Sequence, residues 1–490
     1  KMAGAGTQTI NQAWQEGSIL GLSPNPNPNP GYGTHITGGA LYGSTANGFD
    51  QNPVPGTRSS IMTYSSTLNT WVDHPNTNAT PVSSEAFITF VRGDRGIPLS
   101  YDFIPPTSTT LRASGPLRIG DQTFQVSPVG FTGIPNPFAS PIDFATITRN
   151  GVQNNFYVWD PKMGGLAGVG AYVLISFNGT TYDVIPSSIS PESQYIQSGQ
   201  GFLVQPSTQG VAGTLTIKES DKTATPAMDV FRTNGVSTNK DAKNPLIADP
   251  TAGQGIRVGL LVKNKDNTTA IVDEVFTSYR SNFSDKLDGL DADKVANIQE
   301  NLGIINEGRA LMVERRAMPK EGDVIALKLW NTTQKTYALD ISPIGLSGLG
   351  LSAVFEDRYL RTFIPISLAG KTQVEFTVNG MAASARTDRF QIRIIKGGVE
   401  NLFTSNTISA YPNPIVDRNI SLWFDNKPAG KYEVAIINSL GQVVFRKSLL
   451  HPGGSAMQVL QVDKKLVKGT YQLKIDSKEE SSNISVISNQ

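Results

Sequence analysis

The C-terminal stretch 408–490 has the most regular alternation of hydrophobic and polar positions in the chain. Three of its runs carry an apolar residue at every second position: Ile420/Leu422/Phe424, Tyr432/Val434/Ile436 and Tyr471/Leu473/Ile475. A period of two predicts strands with one face buried and one face in solvent, so Ser421 and Trp423 are expected in solvent. Turn residues such as Gly441, Gly453 and Gly469 separate the runs. About seven short strands in this length predict a small β-sandwich.

The same alternation recurs in residues 245–396. Its clearest runs are Ile256/Val258/Leu260/Val262, Ile325/Leu327/Leu329, Tyr337/Leu339/Ile341, Val374/Phe376/Val378 and Phe390/Ile392/Ile394. These runs predict a second β-sandwich module. One short helix is predicted over 292–302, because Val295, Ile298 and Leu302 would share a helical face.

Residues 51–219 form a third β-rich module. Strands are predicted there at 87–91, 155–159, 171–177, 201–204 and 213–217. The first 50 residues are rich in Pro, Asn and Gly, which predicts an extended, mobile segment without a core. Polar residues 220–244 and the glycine-containing stretch 397–407 are predicted linkers. The fold class is therefore all-β, a string of antiparallel β-sandwich modules.

Three phrases of the C-terminal stretch carry a family resemblance. They are Tyr411-Pro412-Asn413-Pro414, Leu440-Gly441-Gln442 followed by two valines, and Gly469-Thr470-Tyr471. In this order and at the end of the chain, they make residues 408–490 resemble the type A C-terminal sorting domain of cargo proteins of the type IX secretion system of Bacteroidota. The resemblance implies an Ig-like sandwich of seven strands.

The resemblance also implies where the protein goes and what it meets. Export would run through the periplasm and the outer membrane, to the cell surface or the medium. The expected partners are the outer-membrane translocon and the machinery that attaches or processes cargo. The sorting signal is assigned to Tyr411, Pro412, Asn413, Pro414, Leu440, Gly441, Gln442, Gly469 and Tyr471. Gly469 opens a strand at a position where a positive φ is expected.

Upstream phrases resemble the C-terminal regions of large Bacteroidota surface proteins. They include 31–36, 136–143 and 199–202. This resemblance implies an adhesive or gliding-related role with a glycan or another surface ligand, or a role as spacers. Among the aromatic residues available to stack on sugars are Trp71, Trp159 and Trp330.

Composition argues against nucleic-acid binding and excludes chemistry that needs cysteine. The chain has 42 Lys and Arg against 41 Asp and Glu, a net charge of +1, so no strong field favours nucleic acid. It has 47 Gly and 30 Pro, as expected of a turn-rich β protein. The absence of cysteine excludes disulfides and thiolate chemistry.

No apolar run is long enough to predict a membrane span. Because residues 1–6 lack an apolar signal region, we expect the chain to be part of a longer precursor.

Candidate catalytic groups are few. The three histidines, His35, His74 and His451, have no second His at ligand spacing, and structural or solvent-exposed roles are expected for them. Nucleotide-binding and nucleophile-elbow motifs are absent. We therefore predict a non-catalytic protein. The alternative is the accessory region of a secreted polysaccharide- or protein-degrading hydrolase, for which the candidate acids are Asp143, Asp160, Glu274, Glu314, Asp340, Glu356 and Asp357.

The densest acidic cluster is a candidate calcium site, and calcium is the one cofactor considered. It comprises Asp285, Asp288, Asp291 and Asp293, with Gly289 between them. Oxygen ligands at such short spacing can surround Ca²⁺, although the ligand order of an EF-hand is missing. The alternative is a turn before the acidic N-terminus of the predicted helix.

The tripeptide Arg92-Gly93-Asp94 matches an integrin-binding sequence. It directly follows a predicted strand, and Gly93 would supply the turn that ends it. The two flanking arginines, Arg92 and Arg95, would pair with Asp94. A structural role is therefore expected for it.

Overall fold

The structure is a computed structural model, and it confirms the all-β prediction. It describes residues 8–16, 29–38, 47–50, 59–79, 86–96, 107–112, 116–163, 169–186, 192–224, 254–263, 269–360, 362–396, 408–416, 418–451, 453–462, 466–478 and 480–488. By their contacts the residues form two compact units. One comprises Lys1–Pro161, Val173–Val184 and Ser190–Leu246, and the other comprises Lys162–Tyr172, Ile185–Ile189 and Ile247–Gln490.

In the described residues up to 224, the elements are short strands and a helix. The elements are α1 (Ile10–Trp14), β1 (Ile61–Ser65), β2 (Thr70–Asp73), β3 (Phe87–Thr89), β4 (Gln122–Val126), β5 (Thr132–Pro135), β6 (Ile142–Asp143), β7 (Thr148–Asn150), β8 (Asn155–Asp160), β9 (Ala171–Phe177), β10 (Tyr182–Ile185), β11 (Tyr195–Ile196), β12 (Gly201–Val204), β13 (Gly213–Ile217) and a 3-10 turn (Glu219–Asp221). The largest sheet has the order β10-β9-β8-β12-β5, and smaller sheets are β2-β1-β3, β4-β13-β7 and β11-β6. Aromatic rings fill the core here, with Phe144 and Phe156 4.3 Å apart between ring centroids.

The prediction that residues 1–50 are extended and lack a core is wrong for the described part. Helix α1 spans Ile10–Trp14, and Thr9 caps its N-terminus in a capping box closed by Gln12. Ile10, Ala13 and Trp14 are buried in a small core. Their spacing of three and four residues is that of a helical face. This pattern is short, and the prolines that follow it led to the prediction of an extended segment.

A buried ion pair supports this N-terminal core. The Arg95 guanidinium lies 2.5 Å from Asp50, and both side chains are fully buried. Asp50 also accepts hydrogen bonds from the Ile36 amide and the Gln15 side chain. The network therefore joins residues from several described segments of the first 96 residues.

Strands dominate the chain from residue 254 onward. They are β14 (Gly255–Lys263), β15 (Thr269–Tyr279), β16 (Ala292–Asp293), β17 (Asn301–Asn306), β18 (Arg309–Arg316), β19 (Val324–Trp330), β20 (Thr336–Ile344), β21 (Leu351–Asp357), β22 (Thr362–Ile366), β23 (Thr372–Thr377), a 3-10 turn (Ala382–Ala385), β24 (Phe390–Lys396), β25 (Ile408–Val416), β26 (Asn419–Lys427), β27 (Gly430–Ile437), β28 (Val443–His451), β29 (Gly454–Gln461), β30 (Gly469–Asp476) and β31 (Ser481–Ser488). All five alternating runs of the second module lie in strands, namely β14, β19, β20, β23 and β24, with Val378 just beyond the end of β23.

The module that precedes the C-terminal sandwich, called here the preceding module, has its described residues within 254–396. It is built from two groups of strands around one core. Strands β15, β14, β20 and β23 are neighbours in that order, and β17, β19, β24, β21 and β22 form the second group. Strand β18 joins the two groups, since it is parallel to β15 and antiparallel to β17. Val258, Leu339 and Val374 from the first group and Leu327 and Ile392 from the second belong to the same buried cluster. This arrangement agrees with the predicted sandwich.

The helix predicted over 292–302 is wrong. This stretch holds the two-residue strand β16 and the first residues of β17. Asn301 accepts a hydrogen bond from the Asn297 amide at 2.6 Å and donates one to the Asn297 carbonyl at 3.1 Å. Such local side-chain bonds compete with helical ones. Ile298, expected on the buried face, is 55% exposed.

The seven strands β25 to β31 form a sandwich with its own buried cluster. One sheet joins β25, β26 and β29, and the other has the order β28-β27-β30-β31. The predicted alternation of all three runs is present, with one correction. Ser421 and Trp423 are buried instead of facing solvent, because the outer face of β26 packs against the preceding module, as described below.

Candidate functional site

Strand β25 passes from one sheet of the C-terminal sandwich to the other. Its first half is antiparallel to β26, with Tyr411 opposite Ser421. Its second half is parallel to β31, with Ile415 opposite Ser488. The Pro-Asn-Pro phrase occupies the crossing point. Because proline has no amide hydrogen, Pro412 and Pro414 cannot donate to either ladder.

The side chain of Asn413 supplies hydrogen bonds at this crossing. Its Nδ2 donates to the main-chain oxygen of Ser485 at 3.0 Å, and its Oδ1 accepts from the amide of Ile487 at 2.9 Å. An asparagine amide can donate and accept at once, so it bonds to β31 as a main-chain peptide group would. These two hydrogen bonds give the asparagine of the phrase a structural role.

The Leu440-Gly441-Gln442 phrase forms the turn between β27 and β28. Asn438 Oδ1 accepts from the amides of Leu440 at 3.0 Å and Gln442 at 2.9 Å, which makes it the centre of the turn. Gly441 has a φ of 80°, where a side chain is disfavoured. Leu440 is 80% exposed at the tip. Asn438 was not among the predicted signal residues, although asparagine three residues before a glycine is a known turn signal.

The third phrase opens strand β30. Tyr471 is buried, and its hydroxyl donates to the Val467 carbonyl at 2.8 Å. The expectation that Gly469 needs a positive φ is wrong, since it is an ordinary strand residue paired with Ser488. An added Cβ at Gly469 would meet only the Tyr471 ring, at 4.0 Å.

The structure brings the three phrases together at one end of the sandwich. In the strand register Val443 lies opposite Ile437, Ile437 opposite Gln472, and Gln472 opposite Ser485. Ser485 in turn accepts the hydrogen bond of Asn413. Residues far apart in sequence thus form one row across four strands, which we call the signature row.

Exposed apolar side chains surround the signature row. Leu440, Val443, Val444 and Ile487 are all at least 42% exposed. Grouped exposed apolar residues are typical of protein interaction sites. Polar residues lie next to them on β30 and β31, among them Gln472 and Ser485. This end of the sandwich is the candidate recognition surface.

The candidate calcium ligands have separate partners. Asp293 pairs with Arg309 at 2.6 Å and Asp285 with Lys320 at 3.2 Å. Asp291 accepts from the amides of Asp288 and Arg315, and Asp288 accepts from the Leu290 amide. Burial raises the pKa of the Asp291 carboxyl. Within the described residues no three His, Cys, Asp or Glu side chains are grouped to hold a metal. Calcium binding stays a prediction.

Most of the candidate acids of the hydrolase alternative face basic side chains. Arg389 binds both oxygens of the buried Asp357, at 3.0 and 2.6 Å. Four others have similar partners: Glu274 with Arg257, Glu314 with Arg316, Asp340 with Lys371 and Glu356 with Arg393. Asp143 accepts from the Ala145 amide and the Gln194 side chain. Asp160 is buried.

The histidines and the Arg92-Gly93-Asp94 tripeptide have structural settings. His35, His74 and His451 are all buried, which excludes the exposed alternative. His451 stacks on Phe424 with 4.6 Å between ring centroids. The Asp94 carboxylate accepts from the Gly31 amide at 2.7 Å and the Gly96 amide at 2.9 Å, and its pairing with the flanking arginines stays a prediction.

Comparison with known proteins identifies the class to which this sandwich belongs. Residues 409–489 match the family described as the secretion system C-terminal sorting domain. The chain is thus a type IX secretion cargo protein with a C-terminal sorting domain, exported across the outer membrane to the cell surface or beyond. Nowhere in the described residues is there a helix long and apolar enough to span a membrane.

Similarity to solved structures is low. A β-glucuronidase of Parabacteroides merdae with glycerol in its active site has 10% identity and a TM-score of 0.12, covering 32% of this chain and 28% of that one. The BSP domain of a biofilm-associated protein has 11% identity and a TM-score of 0.14, covering 76% and 66%. The chain thus spans less than two thirds of the length of either protein. No curated protein matches it.

Proposed function

We propose that the chain is a non-catalytic surface protein of a Bacteroidota species, with adhesive or gliding-related modules ahead of its sorting domain. The export machinery delivers it, and the signature row with its exposed apolar rim is the surface that the machinery contacts. The modules before residue 397 then act outside the cell.

The observation that carries the non-catalytic part of the proposal is the pairing of the candidate acids. A catalytic carboxyl must be free to contact its substrate, and one that is held in a close ion pair is already engaged. Asp357, bound by two nitrogens of Arg389, is the clearest case. Five of the seven acids have such a basic partner, which is the pattern of structural ion pairs.

A paired set of aromatic residues supports a glycan ligand. Tyr64 on β1 lies opposite Trp71 on β2, with 5.2 Å between ring centroids. Both side chains are half-buried, so part of each ring is open to solvent. Partly exposed aromatic rings can stack on the apolar faces of sugars. The pair is the place where we expect a surface glycan to bind.

Two assays of the full chain test the proposal. Export is measured in a type IX host with the whole chain and with a chain lacking 408–490; the truncated chain should stay inside the cell. Binding to glycan arrays is compared between the wild type and Trp71→Ala, with Trp330→Ala as the control. Loss of binding in Trp71→Ala alone is expected.

The hydrolase alternative is tested with the same protein. Polysaccharide and protein panels should yield no cleavage products from the wild-type chain. Cleavage that Asp143→Asn or Asp160→Asn abolishes would overturn the non-catalytic assignment.

A further inference from the structure

Strand β29 of the sorting domain is also a strand of the preceding module. On one side it is antiparallel to β26, its own neighbour in the sandwich. On the other side it runs parallel to β23, with Thr372 opposite Ser455, Gln373 opposite Ala456 and Val374 opposite Met457. The sheet is therefore continuous from residues 254–396 into the sorting domain.

Two apolar side chains of the sorting domain lie in the core of the preceding module. Trp423 on β26 and Met457 on β29 are opposite each other in register, and each is 2% exposed. Both belong to the buried cluster that contains Val374 and Phe376, and neither belongs to the separate cluster inside the sandwich. Apolar burial of this kind is the main stabilising term of protein interfaces.

A charged group adds directionality to the contact. Glu375 on β23 accepts from Lys263 Nζ at 2.8 Å with one oxygen and from the Val459 amide at 3.2 Å with the other. Glu375 is nearly buried, and a carboxylate that accepts a main-chain amide makes a charge-assisted hydrogen bond. Strand pairing, apolar insertion and this bond together form what we call the docking interface.

We propose that the docking interface holds the sorting domain to the preceding module without help from the covalent connection. The two parts then remain associated after the backbone between Lys396 and Ile408 is cut. Releasing the sorting domain requires a second step, in which β29 separates from β23 and Trp423 leaves the core. The partner that this surface fits is thus the chain's own module.

The test places a specific protease recognition sequence between Lys396 and Ile408 of the full chain. After cleavage, confirmed on a denaturing gel, the two fragments should co-elute in size-exclusion chromatography at micromolar concentration. Elution of the C-terminal fragment by itself would overturn the proposal.

Two variants at position 423 test whether the buried tryptophan holds the two fragments together. Trp423→Ser should release the cut fragment, whereas Trp423→Phe should retain it, because the buried indole nitrogen has no hydrogen-bond partner among the described residues. Lys447→Ser, an exposed change on β28, is the control and should also retain it. Co-elution of cut Trp423→Ser with a folded sandwich would show that the contact is assigned wrongly.

Amide hydrogen exchange keeps the test decisive if Trp423→Ser does not fold. Protection of the amides of β30 and β31 shows whether the sandwich is folded. These strands are remote from Trp423 in the strand pairing. In the cut wild-type chain the Val459 amide should stay protected, since Glu375 still accepts its hydrogen bond. Loss of that protection on cutting, with β30 and β31 still protected, would contradict the proposal.

Discussion

The side-chain nitrogen of Asn413 lies 3.0 Å from the main-chain oxygen of Ser485. With the Ile487 amide bond to the same side chain, this contact joins the first strand of the sorting domain to the last. It explains why an asparagine stands between two prolines. The phrase marks the place where the chain changes sheets.

Replacing Asn413 by Ala should destabilise the sorting domain. Two main-chain groups of β31 exchange their side-chain partner for water, at a cost of about 0.5–1.5 kcal/mol per hydrogen bond. Thermal unfolding of the full chain, followed by exchange of the β31 amides, measures the effect. The control is Asn483→Ala, an exposed change on the same strand, which should cost under about 0.5 kcal/mol. Equal effects of the two changes would contradict the role of Asn413.

Valine substitutions at two glycines should differ. At Gly441, with a φ of 80°, a β-branched side chain should cost about 1–2 kcal/mol and lower the denaturant midpoint of the sandwich. At Gly469, which has no positive φ and ample space for a Cβ, the midpoint should change little. A larger loss at Gly469 than at Gly441 would refute this assignment of the strained turn.

Arg389→Met should strongly destabilise the preceding module. It leaves the buried Asp357 carboxylate without its cation, and breaking a buried pair in this way costs about 3–5 kcal/mol. Arg386→Met is the matched control, because Arg386 and Asp388 form an exposed pair that solvent screens, so its loss should change stability little. Urea unfolding of both variants measures the difference, and similar midpoints would rule out the structural role given to Asp357.

Trp14→Ala should open the N-terminal core to protease. Trp14 is buried against Phe87, with 5.8 Å between ring centroids, and truncating a buried tryptophan costs about 3–5 kcal/mol. Limited proteolysis should leave residues 8–16 intact in the wild type and cut them in the variant. Cleavage of the wild type within this segment at the same rate would restore the earlier prediction of an extended, mobile start.

Calcium should change the stability of the chain by a few degrees at most. Asp285 and Asp293 already have basic partners, and a bound Ca²⁺ would have to displace them. Calorimetry with and without chelator measures the shift. A large rise in Tm with calcium, abolished by Asp288→Asn, would show that the four acids do form a site.

Strand positions could be predicted well, because they depend on local alternation. The predicted strands 171–177, 201–204 and 213–217 have the same bounds in the structure. The sorting phrases could be assigned by their resemblance to a known family, because each phrase is a short local run of sequence. In the same way, the spacing of Ile10, Ala13 and Trp14 was a local signal that was overlooked.

Tertiary partners could not be predicted in this way. The alternation on β26 placed Trp423 in solvent, because nothing local indicates that a second module covers that face. The helix predicted at 292–302 failed because hydrogen bonds between Asn297 and Asn301 outweighed a weak apolar periodicity. The signature row is likewise a product of strand register, which brings together residues 437, 443, 472 and 485.

The crossing of β25 between the two sheets has a mechanical consequence. A pull on the chain at Ile408, opposed at Ser488, draws β25 and β31 in opposite directions along parallel strands. The load falls in shear on the Ile415–Ser488 pairing and on both Asn413 hydrogen bonds at the same moment, so they must break together. Strand β25 is also hydrogen-bonded to β26, so a force that pulls on β25 loads both sheets of the sorting domain at once.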